Sequence, residues 1–288
     1  MTQTAIAAEN LTYAYGKLLA VDDISFDVAE GEILGFLGPN GAGKSTTVKM
    51  LTGQLRPQWG YARLLGIDVA SQPKKVQAQI GVCFEINNLY ETMSGIENLV
   101  LFAKLFGVKD FDAPALIKRV GLDGRGEDKV ERYSKGMKQR LMVARAFVNQ
   151  PKILFLDEPT EGLDPTSAQA IRTLILEEQA RGATVFLTTH DMYEADRLCR
   201  RVAFIDQGKI VALDTPRELK QQYGQRIIRA EVVAADGSLQ TREIVLDRQE
   251  TPGEIAALFE GERVVTLHTE EATLEDIFIQ ITGRGLVS

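Results

Sequence analysis

A glycine-rich segment at residues 38–45 has the residue types and spacing of a phosphate-binding loop. It reads Gly-Pro-Asn-Gly-Ala-Gly-Lys-Ser, which matches GxxxxGK followed by Ser or Thr, and it lies between an apolar run at 33–37 and a predicted helix at 45–51. Glycines allow successive backbone N–H groups to turn toward an anion, and the positive end of the helix dipole lies at the same point. We therefore expect Lys44 to contact the β- and γ-phosphates of a nucleotide and Ser45 to bind Mg²⁺. A glycine-rich turn that fits the pattern by chance is the alternative.

Two carboxylates end a second apolar strand. Residues 153–156 are Ile-Leu-Phe-Leu, and Asp157 and Glu158 follow directly. A buried strand that ends in two charges needs a use for them, because desolvated carboxylates are unfavourable. Asp157 is expected to hold Mg²⁺ through water, and Glu158 to polarise the water that attacks the γ-phosphate. The alternative is a pair of loop acids that cap the next helix.

A histidine and a helix start complete the candidate chemistry. His190 follows a predicted strand at 183–189, and the carboxyl ends of parallel strands line the ligand crevice in open α/β sheets. A surface or capping histidine is the alternative. Residues 133–140 open a predicted helix in which Ser134 is the N-cap. Its hydroxyl and the free N–H groups there are also what an anion needs, so the two interpretations are compatible.

The overall composition excludes some functions. The formal net charge of -7 argues against a nucleic-acid partner, because binding to phosphate backbones rests on a cationic surface. Cys83 and Cys199 lack the spacing of a disulfide framework or a zinc site and indicate isolated thiols in a reducing compartment. The chain contains no apolar run of about 18 residues and no visible secretion signal, so we expect a cytoplasmic protein.

The pattern of elements predicts an α/β fold with a mixed sheet. Short apolar strands alternate with amphipathic helices, but residues 86–150 show helical spacing only, which predicts an inserted all-helical subdomain. A new pattern follows, with a hairpin around Asp236 and Gly237, a helix, a strand and a last helix. We expect an ATPase domain at 1–221 and a small α+β accessory domain at 222–288.

Taken together and in this order, these residues resemble the ATP-binding cassette (ABC) ATPases, which are P-loop NTPases. The resemblance covers about residues 5–220. Residues 38–45 resemble the Walker A loop, 153–158 the Walker B strand with its catalytic glutamate, 134–139 the signature motif and 161–164 the D-loop, and His190 resembles the switch histidine. The resemblance implies ATP contacts from Tyr15, Gly38, Pro39, Asn40, Gly41, Ala42, Gly43, Lys44, Ser45 and Thr46. A core or edge-strand tyrosine is the alternative for Tyr15, whose implied role is to stack on adenine.

The resemblance also implies a head-to-tail dimer. ATP held by the phosphate loop of one copy would be covered by Ser134, Gly136 and Asp164 of the other. ATP would close the dimer and hydrolysis would reopen it, with the movement passed to separate membrane permease subunits. A coupling helix of the permease would contact residues 87–94, where Leu89, Tyr90 and Met93 either take part or fill the local core. The chain would then be peripheral on the cytoplasmic face of a membrane.

Two positions depart from the family pattern. The signature usually reads Leu-Ser-Gly-Gly-Gln, whereas residues 133–137 are Tyr-Ser-Lys-Gly-Met, which keeps the serine and the second glycine. Glu85 stands where the family has the Q-loop glutamine. Glutamate only accepts hydrogen bonds and adds negative charge, so we expect it to serve as a catalytic and metal-side contact that raises the electrostatic cost of closure. An exposed loop acid that points away is the alternative.

The C-terminal segment bears on the direction of transport. Residues 274–284 resemble the ending of ATPase subunits of separate-chain exporters of the drug, polysaccharide and lipo-oligosaccharide types. The resemblance therefore favours an exporter over an importer. A non-transport ABC ATPase of the repair or ribosome-associated kind would need a long coiled-coil insert, a second cassette or a basic face, and the sequence has none of these.

Overall fold

The computed structural model describes residues 3–233, 237–246, 248–261 and 263–285. The chain divides into two compact units, Met1–Leu213 and Asp214–Ser288. This division precedes the expected boundary at 221/222, because the helix Pro216–Tyr223 contacts the helix Leu274–Thr282 of the second unit. Asp236 of the predicted hairpin turn lies outside the described residues. Within the described ranges, no helix combines the length and the apolar character needed to cross a bilayer.

The first unit alternates strands with helices. Its elements are β1 (Thr4–Tyr15), β2 (Leu18–Ala29), β3 (Ile33–Leu37), α1 (Lys44–Leu51), β4 (Trp59–Leu64), β5 (Ile67–Asp68), α2 (Pro73–Gln77), β6 (Ile80–Cys83), α3 (Gly95–Leu105), α4 (Ala113–Arg119), a 3₁₀ turn (Val130–Arg132), α5 (Lys135–Ala146), β7 (Ile153–Asp157), α6 (Pro165–Ala180), β8 (Thr184–Thr189), α7 (Met192–Leu198), β9 (Arg201–Asp206) and β10 (Lys209–Asp214). Between β6 and β7 the named elements are helical, as the sequence pattern predicts.

Two sheets form the core of this unit. Within residues 3–233, six strands pair in the order β10-β9-β3-β8-β7-β6, and the pairs that join β9, β3, β8, β7 and β6 are parallel. A four-stranded sheet in the order β2-β1-β4-β5 is antiparallel. All five residues of β3 and of β7 are buried, as expected for strands covered on both faces. The carboxyl ends of the parallel strands therefore meet at one edge.

Four phenylalanines join the two sheets. Phe26 of β2 packs against Phe36 of β3 and Phe186 of β8, with ring centroids 5.7 and 5.8 Å away, and Phe155 of β7 lies 5.7 Å from Phe186. The Phe36 and Phe186 rings are 5.2 Å apart. Aromatic pairs at such distances stabilise a fold beyond the apolar area they bury. This cluster fixes β3, β7 and β8, the strands that end at the candidate site.

The helical segment between β6 and β7 has well-defined helix starts. Ser94 and Glu97 form a reciprocal capping box at α3, and the Asp112 side chain accepts from the backbone N–H of Ala115 at the start of α4. Ser134 caps α5 in the same way. These caps satisfy backbone donors that would otherwise lack partners, so each helix begins at a defined residue.

The second unit is an α+β structure with its own small core. Its elements are α8 (Pro216–Tyr223), β11 (Arg226–Val233), β12 (Leu239–Val245), α9 (Thr251–Gly261), β13 (Arg263–Glu271) and α10 (Leu274–Thr282). In its described ranges, the strands pair antiparallel in the order β12-β11-β13. Leu258 of α9 joins Ile228, Ala230, Val232 and Ile244 in a buried cluster. The alternation of buried and exposed residues along β11 matches a sheet covered on one face.

The aromatic cluster generates a stability prediction. Phe186→Ala should lower the free energy of unfolding by about 3–5 kcal/mol, because it opens a cavity among the three remaining rings, which cannot collapse freely. Urea unfolding followed by circular dichroism measures this. Leu176→Ala is the matched control, since Leu176 is 44% exposed on α6 and should change stability by less than about 0.5 kcal/mol. Equal losses in the two variants would contradict the role assigned to the cluster.

Candidate functional site

The candidate site is a cleft at the carboxyl edge of the parallel sheet. The loop after β3 carries residues 38–45, and Glu85, Glu158 and His190 follow β6, β7 and β8. A cleft of about 380 Å³ is lined by Tyr15, Leu18, Ala20, Pro39, Asn40, Gly41, Gly43, Lys44, Ser45, Thr46, Glu85 and Glu158. The structure thus brings most of the predicted ATP contacts together with two of the predicted catalytic residues.

Glycine is required at two points of the phosphate loop. Gly43 has φ 112°, and a Cβ there would lie 2.5 Å from the carbonyl oxygen of Ala20. A Cβ on Gly38 would lie 2.1 Å from the carbonyl oxygen of Ile205 on β9. No side chain caps α1, so its first N–H groups remain available at the cleft. The loop has the backbone freedom and the donors that an anion site needs.

Lys44 is buried within the loop that it serves. Its Nζ donates to the carbonyl oxygen of Gly38 at 2.7 Å and to that of Pro39 at 3.3 Å. The same atom lies 3.2 Å from Glu158 Oε1, and both side chains are 6% exposed. A phosphate entering the cleft would compete with these partners for the ammonium group.

Glu158 links the phosphate loop to the end of β8. It has φ 48°, which is uncommon for a non-glycine residue and is seen at functional turns, and its N–H donates to the carbonyl oxygen of Thr188 at 3.1 Å. Its Oε2 is 3.0 Å from His190 Nδ1 and accepts from the His190 backbone N–H at 3.4 Å. One carboxylate therefore contacts both a cation and the candidate switch histidine.

Oxygen atoms suited to Mg²⁺ lie at the same edge. Asp157 is 4% exposed and accepts a hydrogen bond from the Thr188 hydroxyl, and Ser45 lines the cleft at the start of α1. Among the described residues, no group of three or more His, Cys, Asp or Glu is arranged to hold a metal by itself. This donor set fits Mg²⁺, which keeps several waters and binds through one or two protein oxygens and substrate phosphates.

Glu85 lines the cleft and does not point away from it. Desolvation raises the pKa of its carboxyl group above the ordinary value, and the nearby charges of Asp157, Glu161 and Glu158 raise it further, whereas Lys44 lowers it. Three of the causes that raise this pKa are neighbouring negative charges. An ionised Glu85 therefore adds to the negative potential beside Asp157 and Glu158.

Tyr15 offers an aromatic surface to the cleft. Its side chain is 45% exposed and lines the cleft beside Leu18, which is 68% exposed. Tyr13 meets it edge-on, with ring centroids 4.9 Å apart. An exposed ring held by a neighbouring ring fits a stacking surface for a base.

The three residues predicted to cover ATP from a second copy of the chain lie outside the cleft described above. Ser134 Oγ accepts from the Met137 N–H at 3.2 Å, and Asp164 accepts from the Ser167 N–H at 3.0 Å. The bond from this N–H is the largest cause that lowers the pKa of Asp164. A Cβ on Gly136 would lie 2.6 Å from Ser167 Oγ, so the starts of α5 and α6 are in contact. In this single chain, Ser134, Gly136 and Asp164 do not line the phosphate-loop cleft.

Four polar residues around the site carry no signal that was recognised in the sequence. The Thr188 hydroxyl bonds to Asp157, and Glu194 contacts Thr160 and Arg172 beneath a second cleft of about 320 Å³ that Glu158 and His190 also line. A signal for Glu194 was present, because residues 191–194 have the Asp-x-x-Glu spacing of a helix start. Only half of that pattern is realised, since Asp191 caps the Glu194 N–H while the Glu194 side chain turns inward.

The chain belongs to the ABC transporter family. The family model described as "ABC transporter" matches residues 21–161. The chain is 44% identical over 283 residues to a fluoroquinolones export ATP-binding protein of Mycobacterium tuberculosis, and the match covers 98% of this chain and 94% of that protein. It is 36% identical over 305 residues to a Nod factor export ATP-binding protein I of Paraburkholderia xenovorans, with 99% of each chain covered.

A solved structure shares the fold. It is the dimeric post-hydrolysis state of an ATP-binding cassette bound to ADP and Pi, with a TM-score of 0.67, 25% sequence identity, and coverage of 73% of this chain and 98% of that chain. The predicted α/β P-loop fold is confirmed, and so is the identification as an ATP-binding, ATP-hydrolysing ABC subunit.

The negative potential around Glu85 generates a binding prediction. Glu85→Gln should tighten ATP binding at pH 8 and low salt by roughly two- to fivefold, because it removes a like charge beside Asp157 and Glu158. The gain should shrink at high salt, which screens this repulsion. Fluorescence titration with a labelled ATP measures both, and Glu127→Gln is the control because Glu127 is an exposed acid outside the cleft. Identical affinities for the parent and Glu85→Gln at both salt concentrations would contradict the repulsion.

Proposed function

We propose that this chain is the ATP-hydrolysing subunit of an exporter, that it works as a head-to-tail dimer, and that it drives separate membrane subunits. The position of Glu158, whose two oxygens contact Lys44 and His190, is the observation that supports the proposed ATP hydrolysis. A buried carboxylate in that position can exchange the lysine for a water molecule without losing its orientation.

Hydrolysis follows from that exchange. The phosphates of ATP enter the loop and take over the ammonium group of Lys44, which leaves Glu158 Oε1 free while Oε2 remains on His190. The freed carboxylate accepts a proton from water as the water oxygen bonds to the γ-phosphorus. The bond between that phosphorus and the β–γ bridging oxygen breaks, and ADP leaves with the bridging oxygen.

Mg²⁺ fits the remaining oxygen donors. Ser45 would bind it directly, Asp157 through water, and Glu85 as a further metal-side contact, since all three lie at the carboxyl edge of the sheet. When bound, the ion supplies neutralisation of the charge that develops on the phosphate oxygens. Asp157 is held for this role by the Thr188 hydroxyl.

A second copy of the chain would complete each ATP site. Ser134 and Gly136 lie at the start of α5, where backbone N–H groups and a hydroxyl can receive phosphate oxygens, yet they do not line the phosphate-loop cleft of their own chain. The similar cassette solved with ADP and Pi is dimeric, which supports the arrangement. Asp164, at the start of α6 beside Gly136, would belong to the same face.

A groove beside the helical segment suits a permease helix. It has a volume of about 320 Å³ and is lined in part by Phe84, Phe102, Phe106 and Arg145. Tyr90 follows Phe84 by six residues and is 51% exposed, so it offers further apolar surface. Leu89 is buried, so of the two interpretations left open by the sequence it fits the one in which it fills the local core. We expect a cytoplasmic chain that is peripheral on the membrane through this partner.

Export follows from the similarity to proteins named for the export of fluoroquinolones and Nod factors. Those two classes of compound differ strongly in chemistry, although both proteins resemble this chain along almost its whole length. The ATPase subunit therefore does not define the cargo, which we assign to the membrane subunits.

The role of Glu158 is tested by a substitution that keeps its shape. Glu158→Gln should reduce ATP turnover by at least about a hundredfold while ATP still binds, because the amide cannot accept the proton from water. It should also accumulate ATP-bound dimers, which size-exclusion chromatography with light scattering detects. Lys44→Ala is the contrasting variant and should weaken nucleotide binding itself. Parental turnover by Glu158→Gln, or by an isolated monomer, would overturn the proposal.

Sharing of sites between copies is tested by mixing two inactive variants. Lys44→Ala and Ser134→Ala should each lack turnover, but a mixture should recover roughly a quarter of the parental rate, because half of randomly formed dimers contain one intact site. Asp112→Ala is the control for loss of a helix cap, which costs about 1 kcal/mol, and should remain active without mixing. No recovery in the mixture would show that each chain holds its complete site.

A further inference from the structure

We propose that Glu194 is a positioning residue for ATP hydrolysis, which fixes the loop that follows Glu158 relative to the loop that carries His190. The inference rests on the proposed roles of Glu158 and His190. Glu194 itself lines neither the phosphate loop nor the ATP cleft, so it would act through its neighbours.

Glu194 is completely buried in α7, and its two oxygens have separate partners. Oε2 accepts from the Thr160 hydroxyl at 2.8 Å and lies at 3.5 Å from the Thr189 hydroxyl. Oε1 accepts from Arg172 Nε at 3.0 Å. Three elements, namely the loop after β7, helix α6 and the end of β8, therefore converge on one carboxylate.

The partners of Glu194 flank the catalytic pair in the chain. Thr160 is two residues after Glu158, and Thr189 immediately precedes His190. Thr189 Oγ1 also accepts from the Asp191 N–H at 3.0 Å, which ties the turn after His190 to the same network. A change in the distance between these loops would alter the 3.0 Å contact between Glu158 and His190, although neither catalytic side chain would be touched.

Burial makes the network difficult to rearrange. Desolvation is the largest cause that raises the pKa of Glu194, while the hydrogen bonds from Thr160 and Arg172 and the charge of Arg172 lower it. A buried carboxylate that loses such partners has no water to replace them. The loops are therefore held in one arrangement, which is what a residue that orients a general base must provide.

An apolar residue would suit this position better if packing were its only purpose. The neighbouring buried residues of α7 are Met192, Ala195 and Leu198, so the helix face is otherwise apolar. The same helix α6 that supplies Arg172 also carries Glu178, a second buried carboxylate, which bonds to Arg181 at 3.0 Å and to Arg119 at 2.5 Å. Glu178 lies in the last turn of α6, away from Thr160 and Thr189 in the chain, and provides a matched control.

The test compares Glu194→Ala and Glu194→Gln with Glu178→Gln in the full-length chain. Turnover at saturating ATP is divided by the number of nucleotide-binding sites measured by titration, so that misfolded protein does not count. Glu194→Ala should lower kcat by about tenfold or more while KM for ATP changes less than about twofold, because the phosphate loop is untouched. Glu194→Gln should retain part of the rate, since its carbonyl can accept from Arg172 and its amide can donate to Thr160.

The catalytic specificity of the effect is tested in two double variants. Thr160→Val should reproduce part of the loss, and adding it to Glu194→Ala should give less than the product of the two losses, because both changes break the same bond. In the Glu158→Gln background, Glu194→Ala should cause no further loss of the residual rate. Glu178→Gln should lower the melting temperature and leave kcat unchanged.

Two results would overturn the inference. One is a parental kcat per site in Glu194→Ala, and the other is an equal loss from Glu194→Ala in the parent and in the Glu158→Gln background, which would indicate a structural role. If Glu158→Gln itself turned over ATP at the parental rate, the proposed function would fail instead. The failure of the two ideas can thus be told apart.

Discussion

The buried carboxylate of Glu158 is the contact on which the site depends. Its two oxygens lie 3.2 Å from Lys44 Nζ and 3.0 Å from His190 Nδ1, and the Glu158 side chain is only 6% exposed. A buried charge is tolerated only where partners of fixed geometry surround it. The loops after β3, β7 and β8 must therefore each end at one position, and the rest of the first unit can be understood as the means of holding them there.

The parallel sheet and its aromatic cluster provide that precision. Pairing of β3, β7 and β8 places Leu37, Asp157 and Thr189 at one edge, because parallel strands in register end side by side. The four phenylalanine rings pack β3, β7 and β8 against β2 of the antiparallel sheet. The strand ends thus hold the backbone of the site in place. The groups that take part in the proposed chemistry are side chains at the strand ends and in the loops that follow them.

The sequence predicted the parts of the site in which the residue type itself carries the chemistry. The glycines of 38–45, the paired acids at the end of β7 and the histidine after β8 were predicted because phosphate binding, metal binding and proton transfer restrict the residue types that can serve, and the structure places them at one edge of the sheet. Glu194 and Thr188 were missed because their importance comes from burial and from partners distant in the chain, such as Arg172. Sequence periodicity does not show tertiary contacts. It therefore could not predict that Leu89 is buried or that the helix Pro216–Tyr223 packs with the second unit.

The ion pair between Lys44 and Glu158 also explains how binding and activation are linked in the proposed mechanism. While the two side chains are paired, Lys44 Nζ lies 3.2 Å from Glu158 Oε1 and occupies the place where that oxygen would receive a water molecule. In the proposed mechanism the phosphates of ATP draw the lysine to themselves, so the same event that binds nucleotide frees Glu158 Oε1 for water. Glu85 lines the same cleft, where burial raises the pKa of its carboxyl group and the charges of Asp157, Glu161 and Glu158 raise it further. In the proposed mechanism, the position where the family usually has a neutral glutamine therefore adds negative charge beside the residues assigned to Mg²⁺.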